Sequence, residues 1–160
     1  MLSQLKHLIH IVDGRYASDT ELLFLTDYIQ SFELRLQTYL RMQELETTLI
    51  QQTYLRMRSI NPALFNYGRA DLSTKWRQDT IRVLRYTAIT ILVDDPDTLK
   101  EQLLFWFQTV MRAFEAQSTC DVTYQTLQNL VKQYLTPPQA ELVCPILELN
   151  RQILGQSSSL

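Results

Sequence analysis

Glycine and proline are rare in this sequence, and the long gaps between them limit what it can fold into. Neither residue occurs in residues 15–61, 69–95 or 97–136. Chains rich in β-strands need turn residues far more often than this. The sequence therefore predicts an all-α fold. Its 160 residues, 46% of them hydrophobic, suffice for one domain, which we place at 1–155 and follow with a flexible polar tail at 156–160.

The first helices are predicted from the spacing of apolar residues and from capping residues. A short helix over residues 3–12 is closed by Gly14, and Ser18 with Glu21 forms a capping box for the next helix. From Glu21 the apolar period continues to Asn61, either as one long helix or as two nearly continuous ones. The sequence therefore begins with a short helix, a turn and a much longer helical run.

The middle of the chain carries equally clear signals. A loop over residues 62–71 leads into a helix over residues 73–93. Asp95 is suited to be the N-cap of the helix after it, with Pro96 at the first helical position, where the missing N–H costs nothing. Apolar residues then continue at helical spacing as far as Phe114.

Two more helices are predicted in the last third of the chain. One begins near Cys120, and the other begins at the capping pair Thr136 and Gln139. Pro145 lies inside the second of these helices and is expected to kink or divide it, because proline cannot donate a backbone hydrogen bond.

Composition excludes several classes of function. The net charge of −2 and the absence of a basic run give no reason to expect a nucleic-acid partner. No stretch approaches the ~20 apolar residues that a transmembrane helix needs. Two cysteines, Cys120 and Cys144, are too few for a disulfide framework. We expect a cytoplasmic protein without a membrane span, in which Cys144 is a small buried residue.

The residues needed for catalysis or metal binding are sparse. His7 and His10 are the only histidines, and a surface position is favoured over a weak metal contact on the short first helix. A globin-type haem ligand is missing, since no histidine follows position 10. Three scattered glycines cannot form a phosphate-binding loop. We therefore predict no catalytic residue and no metal site.

Aromatic and methionine side chains form a stripe at helical spacing, which is more typical of a core than of a ligand cavity. The stripe contains Tyr39, Tyr54, Met57, Phe105, Trp106, Phe107, Met111 and Phe114. Within it, residues 104–107 are four consecutive large apolar residues. They point in all directions around a helix, so this segment is expected to be buried on most sides or to lie in an interface.

Four short segments resemble phycobiliproteins, the light-harvesting subunits of cyanobacterial and red-algal antennae. Residues 14–18 (GRYAS) resemble the R-Y-L-S turn of that family's N-terminal hairpin, and residues 76–79 (WRQD) resemble its C-x-R-D block. Residues 83–86 (VLRY) and 94–96 (DDP) are similar to the Y-L-R continuation and the turn after it. The resemblance implies a globin-like, phycocyanin-like domain with an N-terminal helical hairpin, whose first helix and turn are residues 1–18.

The departures from the family pattern bear on the cofactor. The family's cysteine forms a thioether with an open-chain tetrapyrrole, and Trp76 stands in its place, so the resemblance implies no covalent bilin. A bilin or other tetrapyrrole held non-covalently is the alternative, with Asp79, Trp76, Arg77, Arg82 and Lys75 as its candidate binding residues. Asp79 has a second interpretation, as an ion-pair partner of Lys75 and Arg82 on a solvated helix face. Trp76 either stacks on the ligand or fills its space.

The resemblance also implies a docking surface, because family subunits pair through the hairpin and the helix with Y-L-R. An aspartate of one subunit meets an arginine of its partner, and Asp13 and Arg85 are the candidates here. A short helix also needs something to pack against. The predicted interface residues are Leu5, Leu8, Ile9, Val12, Asp13 and Arg85.

These observations favour a non-enzymatic binding or regulatory protein linked to assembly, turnover or protection of a photosynthetic antenna or photosystem. We expect its partner to be a helical protein, either a second copy in a homodimer or a phycobiliprotein or photosystem protein. The expected location is the cytoplasm, including the cytoplasmic or stromal face of the thylakoid membrane. A bilin-handling enzyme such as a lyase, and a sensor globin without haem, are the alternatives.

Overall fold

The computed structural model describes residues 1–156, and 85% of them are helical. The helices are α1 (Leu2–Val12), α2 (Asp19–Ile60), α3 (Ser73–Val93), α4 (Pro96–Leu99), α5 (Phe105–Ala113), α6 (Gln117–Tyr134) and α7 (Pro137–Gly155). The predicted all-α fold is therefore confirmed. Gln156 follows α7 as non-helical chain, and the rest of the predicted tail lies outside the described residues.

The segment between α2 and α3 contains more structure than the predicted loop. A 3₁₀ turn (Pro62–Phe65) is followed by a ribbon of two antiparallel strands, β1 (Asn66–Tyr67) and β2 (Ala70–Asp71). Gly68 lies at the tip of the ribbon with φ of 59°, a conformation that glycine adopts without a steric penalty. Its two strands are the only β-strands among residues 1–156, and the ribbon lies beside the candidate functional site.

Helix α2 is one continuous helix of 42 residues, and its predicted capping box is present. The backbone N–H of Ser18 donates to Glu21 at 2.8 Å, and Glu21 N–H donates to the Ser18 hydroxyl at 3.4 Å. Arg15 also donates to Glu21 at 2.6 Å. This hydrogen bond, together with the hydrogen bonds from Ser18, lowers the pKa of Glu21 to about 2. The helix ends at Ile60, before Asn61 and Pro62, as the sequence predicts.

The structure corrects two predictions about the later helices, the first in full and the second in part. Helix α6 begins at Gln117 rather than near Cys120, after a turn in which Glu115 has φ of 53°. Ala116 at its N-cap has no side-chain acceptor, so no capping signal marked the start. Helix α7 is not divided at Pro145 but runs through it from Pro137 to Gly155, so division is wrong and the alternative, a kink, stays a prediction.

A π-helical segment (Lys100–Leu104) joins α4 to α5 and was not predicted. The buried residues Leu99, Leu103, Phe107 and Met111 follow one another at steps of four. In an α-helix each step of four residues turns the side chain about 40° further around the axis. Three such steps would move Met111 about 120° away from Leu99, so the four side chains would not share one face. The wider π turn absorbs this drift and keeps the four side chains in the core.

The π segment also decides the orientation of residues 104–107. Leu104 and Phe107 are buried, whereas Phe105 and Trp106 are 54% and 46% exposed. The expectation that this segment is buried on most sides is therefore wrong for these two aromatic residues, because the helix has solvent on one side here. The alternative expectation, an interface, stays a prediction.

The core lies among the second half of α2, helices α3, α6 and α7, and the segment from α4 to α5. Its fully buried side chains include Leu49, Met57, Leu127, Leu130 and Leu147. By contrast, no residue of 1–37 is buried, and the first buried residue of α2 is Thr38. Helix α1 and the first half of α2, which we call the hairpin (residues 1–37), thus extend beyond the core.

Polar contacts attach α1 to the corner between α3 and α4. Asp95, only 2% exposed, accepts hydrogen bonds at 2.8 Å from both the backbone N–H and the hydroxyl of Ser3. The same carboxylate accepts the Thr98 N–H at 3.3 Å, as the predicted N-cap of α4. One side chain therefore caps α4 and holds the start of α1.

The first half of α2 is attached to the same corner. Tyr28 donates its hydroxyl proton to the Leu92 carbonyl at 3.0 Å. Arg35 donates to the Ile91 carbonyl at 2.9 Å and pairs with Asp94 at 3.1 Å, at the C-terminal end of α3. A cation at this end of a helix is favourable because the last carbonyls carry partial negative charge. Polar contacts thus position a hairpin that has no buried side chain.

We expect Asp95→Ala to destabilise the protein by about 2 kcal/mol, because it removes a helix cap and the two hydrogen bonds from Ser3. Amide hydrogen exchange should accelerate in α1 more than in α6. Asp97→Ala is the matched control, since Asp97 is exposed and pairs only with Lys100 among the described residues. Unchanged exchange in α1 would contradict the role of Asp95.

The same attachment should depend on pH. Burial raises the pKa of Asp95, but the hydrogen bonds from Ser3 and Thr98 outweigh it and leave the pKa below its usual value. A carboxylate with a lowered pKa stabilises the folded state fully above its ordinary pKa and loses that contribution as the pH falls through the lowered one. The exchange protection of α1, taken relative to the intrinsic exchange rate at each pH, should therefore fall in acid before that of α6, and Asp95→Ala should remove this early step.

Candidate functional site

A cavity of about 80 Å³ lies beside the first half of α3, and we call it the Trp76 cavity. Its floor is formed by buried side chains, and its mouth is formed by exposed ones. The floor contains Phe65, Thr80, Phe107, Met111, Cys120, Thr123 and Tyr124. The mouth contains Asn66, Lys75, Phe114 and Glu115. The 3₁₀ turn, the ribbon and helices α3, α5 and α6 thus meet around one apolar space.

Trp76 is held firmly in the wall of this cavity. Its indole N–H donates to the Thr123 hydroxyl at 2.9 Å, and that hydroxyl donates to the Thr119 carbonyl at 2.7 Å. The indole packs edge-on against Phe65, with ring centroids 5.2 Å apart, and lies 6.0 Å from the ring of Tyr54. Because a hydrogen bond and two aromatic contacts fix the ring, it is a structural part of the wall.

Asp79 lies one helical turn from Trp76 and also lines the cavity. Both of its carboxylate oxygens accept from the Lys75 ammonium, at 3.0 and 2.9 Å, and its side chain is 14% exposed. The predicted ion pair with Lys75 is therefore present. The predicted pair with Arg82 is wrong: among residues 1–156, the ion-pair partner of Asp79 is Lys75.

The structure brings three of the five candidate cofactor residues to the cavity: Lys75, Trp76 and Asp79. Arg77 and Arg82 do not line it. The Arg77 guanidinium lies over the ring of Tyr54, 5.5 Å from its centroid, and donates to Gln51 at 3.1 Å. Arg82 is exposed. The two arginines therefore do not converge with Asp79 on a common ligand.

Cys120 lines the cavity, a position that no motif in the sequence indicates. Burial, with smaller contributions from Asp79 and Asp121, raises the pKa of this thiol to about 12. The group is therefore protonated at neutral pH and is a poor nucleophile. Cys144 is half-buried rather than buried, so the prediction for that residue is wrong.

A second hollow, about 210 Å³ in volume, lies between α2 and α3, and we call it the Arg85 groove. It is lined by Tyr39, Met42, Gln43, Glu46, Leu84, Arg85, Ala88 and Ile89. Arg85 donates two parallel hydrogen bonds to Glu46, at 2.7 and 2.8 Å. The arginine side chain is nevertheless 68% exposed, so part of the guanidinium still faces solvent.

The predicted interface residues of α1 lie on the hairpin. Leu5, Leu8 and Val12 are half-buried, Ile9 is 72% exposed, and Asp13 ends the helix in an exposed position. Within residues 1–156, Asp13 and Arg85 do not form an ion pair, because the carboxylate that Arg85 contacts belongs to Glu46. Their predicted contact is between two subunits, and it stays a prediction.

The hairpin carries an unusual share of exposed apolar surface. Eighteen large apolar side chains are exposed in residues 1–156, and nine of them lie within the first 40 residues. They are Leu2, Ile9, Ile11, Tyr16, Leu23, Ile29, Phe32, Leu36 and Leu40. Since a quarter of the chain holds half of these residues, their exposure is concentrated rather than scattered, as at interaction sites.

These features define a class: an all-α domain with a projecting N-terminal hairpin and an aromatic cavity beside its central helix. The family model for phycobilisome proteins matches residues 12–154. The chain belongs to the phycobilisome protein family, whose fold is globin-like, and the predicted family and fold class are confirmed. A search of curated proteins gave no match.

Family membership supports coarse statements about function. Phycobiliproteins are generally non-enzymatic light-harvesting proteins, normally carry bilin chromophores and assemble with one another. Phycobilisomes sit on the cytoplasmic side of thylakoids. No helix of residues 1–156 has the length and hydrophobicity to cross a membrane. In the same part of the chain no three His, Cys, Asp or Glu residues cluster as a metal site, and His7 and His10 are exposed.

The residues of the Trp76 cavity do not fit the family's bilin. Tryptophan has no thiol to form a thioether, and the buried Cys120 thiol is held in its unreactive form. The cavity volume is about 80 Å³, whereas sites for ligands of drug size or larger usually measure roughly 300–1,000 Å³. A tetrapyrrole would need Trp76 and its hydrogen bond to Thr123 to move.

Proposed function

We propose that this chain is a non-enzymatic, protein-docking member of the phycobilisome family. Its partner is a helical protein of the photosynthetic antenna or photosystem, or a second copy of the chain. The docking serves assembly, turnover or protection of these complexes, at the cytoplasmic face of the thylakoid, rather than light absorption by a covalent bilin.

The single observation that supports this proposal best is the exposed apolar surface of the hairpin. No side chain of residues 1–37 is buried, and the apolar residues Ile9 and Ile29 are 72% and 71% exposed. The contacts of Asp95, Tyr28 and Arg35 with other parts of the chain fix the hairpin in place. A surface that is apolar, exposed and already positioned needs little reorganisation to bind a partner.

The Arg85 groove supports the same proposal from a neighbouring surface. Buried side chains of Met42, Leu84 and Ala88 line it, while Ile89 and Arg85 are exposed. A groove that combines apolar walls with an arginine that is paired with Glu46 but still 68% exposed is suited to an apolar anchor residue next to a carboxylate of the partner. Leu36 lies in the hairpin, and Leu40 follows it on α2, the helix that forms one wall of the groove, so the two surfaces are consecutive along α2.

A direct experiment is sedimentation velocity of the purified chain, alone and mixed with purified phycobiliprotein subunits or photosystem complexes. We expect either a concentration-dependent dimer or co-sedimentation with one of these partners. Monomers at all accessible concentrations, with no co-sedimentation, would contradict the docking role.

The bilin question has its own test, an absorption spectrum after addition of biliverdin. We expect no red shift with the natural chain, because the cavity measures only about 80 Å³ and Trp76 is held in its wall by the hydrogen bond to Thr123. A red shift that disappears on denaturation would instead establish non-covalent binding. It would then be weakened by Asp79→Ala, by about a few kcal/mol at most.

A further inference from the structure

We propose that the Trp76 cavity binds a small aromatic cation, consisting of a single planar ring that carries a protonated amine. The ring would enter between Phe107, Met111 and Phe114, and the ammonium group would lie at the carboxylate of Asp79. This proposal concerns a face of the protein that the docking role does not use, and it stands independently of that role.

The side chains on the floor of the cavity are the reason for proposing an aromatic ring in the ligand. Phe107 and Met111 are 3% and 8% exposed and line the cavity on α5, opposite Trp76 of α3. Phe114, at the mouth, is steadied by Tyr67 of the ribbon, whose ring centroid lies 5.6 Å away. Aromatic and thioether groups favour a flat aromatic ligand through edge contacts and sulfur–ring contacts.

The charged residues around the mouth of the cavity are the reason for proposing a positively charged ligand. The charged residues that line the cavity are Lys75 and Glu115 at the mouth and Asp79 beside them, which leave the site with a net charge of −1. The only cation that contacts Asp79 in residues 1–156 is Lys75, from the next turn of the same helix. A carboxylate can accept about four hydrogen bonds, so a ligand ammonium can share or replace this contact. Such charge-assisted hydrogen bonds are stronger than neutral ones.

The volume limits the size of the ligand. The cavity measures about 80 Å³, and an apolar cavity of about 150 Å³ holds a benzene molecule completely. A single ring therefore enters only in part, and the amine on its side chain remains in the mouth near Asp79. This arrangement accepts a benzylamine-sized molecule and excludes a tetrapyrrole.

Trp76 provides the measurement. In a Trp106→Phe chain it is the only tryptophan, and it lines the cavity, whereas Trp106 does not. Benzylamine should quench or shift the Trp76 fluorescence with a Kd on the order of 1 mM, a reasonable affinity for so small a ligand. Benzyl alcohol, which has the same ring without the charge, should bind at least about tenfold more weakly.

Two variants should change the affinity in opposite directions. Asp79→Asn keeps the shape but removes the charge, and it should weaken benzylamine binding about tenfold. Lys75→Met removes the competing ammonium, and it should tighten binding. Lys100→Met is the control, because Lys100 forms an equivalent local pair with Asp97 and does not line the cavity.

The opposite signs make the outcome decisive even if one variant is less stable. Equal binding of benzylamine and benzyl alcohol would overturn the proposal, and so would a Lys75→Met chain that binds benzylamine no more tightly than the natural chain. Failure of the fluorescence to respond at any soluble benzylamine concentration would overturn it as well. None of these results depends on whether the hairpin docks on another protein.

Discussion

Ile9→Glu and Ile29→Glu, each made alone, are expected to weaken the partner complex at least a hundredfold while leaving the chain folded. Burying an isoleucine in an interface contributes about 1.5–3 kcal/mol, and placing a carboxylate there adds a desolvation cost. Both residues are more than 70% exposed in the isolated chain. Substitutions at such positions usually change folding stability by less than about 0.5 kcal/mol. Sedimentation or biolayer interferometry against the partner identified above would measure the effect.

Ile60→Glu is the matched control for these variants. Ile60 is also 64% exposed, but it lies at the other end of α2, outside the hairpin. It should leave the affinity unchanged. A truncated chain that begins at Arg15 should lose the complex as well, because it lacks α1. If that chain keeps the oligomeric mass of the full chain, α1 is not part of the interface.

Trp76→Ala is expected to lower the free energy of unfolding by about 3 kcal/mol, at the lower end of the range for buried tryptophans because Trp76 is half-buried. The variant loses the aromatic contacts with Tyr54 and Phe65 and the hydrogen bond to Thr123. Trp76→Phe keeps a ring but not the N–H, and should lose about 1 kcal/mol. Urea denaturation monitored by circular dichroism gives both values.

Trp106→Ala is the comparison, since Trp106 is 46% exposed and its N–H donates within its own helix, to the Gln102 carbonyl. Its loss should cost clearly less stability than the loss of Trp76. Equal effects of the two substitutions would show that Trp76 does not support the cavity wall. The biliverdin titration should also be repeated with the Trp76→Ala chain, because this substitution removes a large side chain from the cavity wall.

Much of the fold could be predicted because its signals are local. The Ser18–Glu21 box, the Asp95 cap before Pro96 and the end of α2 before Asn61 each depend on residues within one helical turn. The start of α6 could not, since Ala116 is an N-cap without a capping side chain. The π segment could not be predicted for another reason. It brings side chains spaced by four residues onto one buried face, and which face is buried is known only once the helices are packed.

The candidate site divides in the same way. The pair of Lys75 and Asp79 was predictable because four residues of helix separate the two groups. Arg82 satisfies similar spacing with Asp79, but local spacing permits a contact without requiring it, and the side chain extends to solvent instead. Arg77 turns towards Gln51 and Tyr54 of α2, which the sequence alone could not place beside it.

The sequence by itself determined most of the helices, the caps formed by side chains and the absence of a cysteine at position 76. Only the tertiary structure decided that Thr123 fixes the Trp76 indole, 47 residues away. It also decided that Glu46 accepts hydrogen bonds from the Arg85 guanidinium, 39 residues away. It also decided that Asp95 holds Ser3 across 92 residues. The physical reason is that helix formation depends on neighbours along the chain. These three contacts instead depend on how the helices pack, and packing follows from the shape of the whole core.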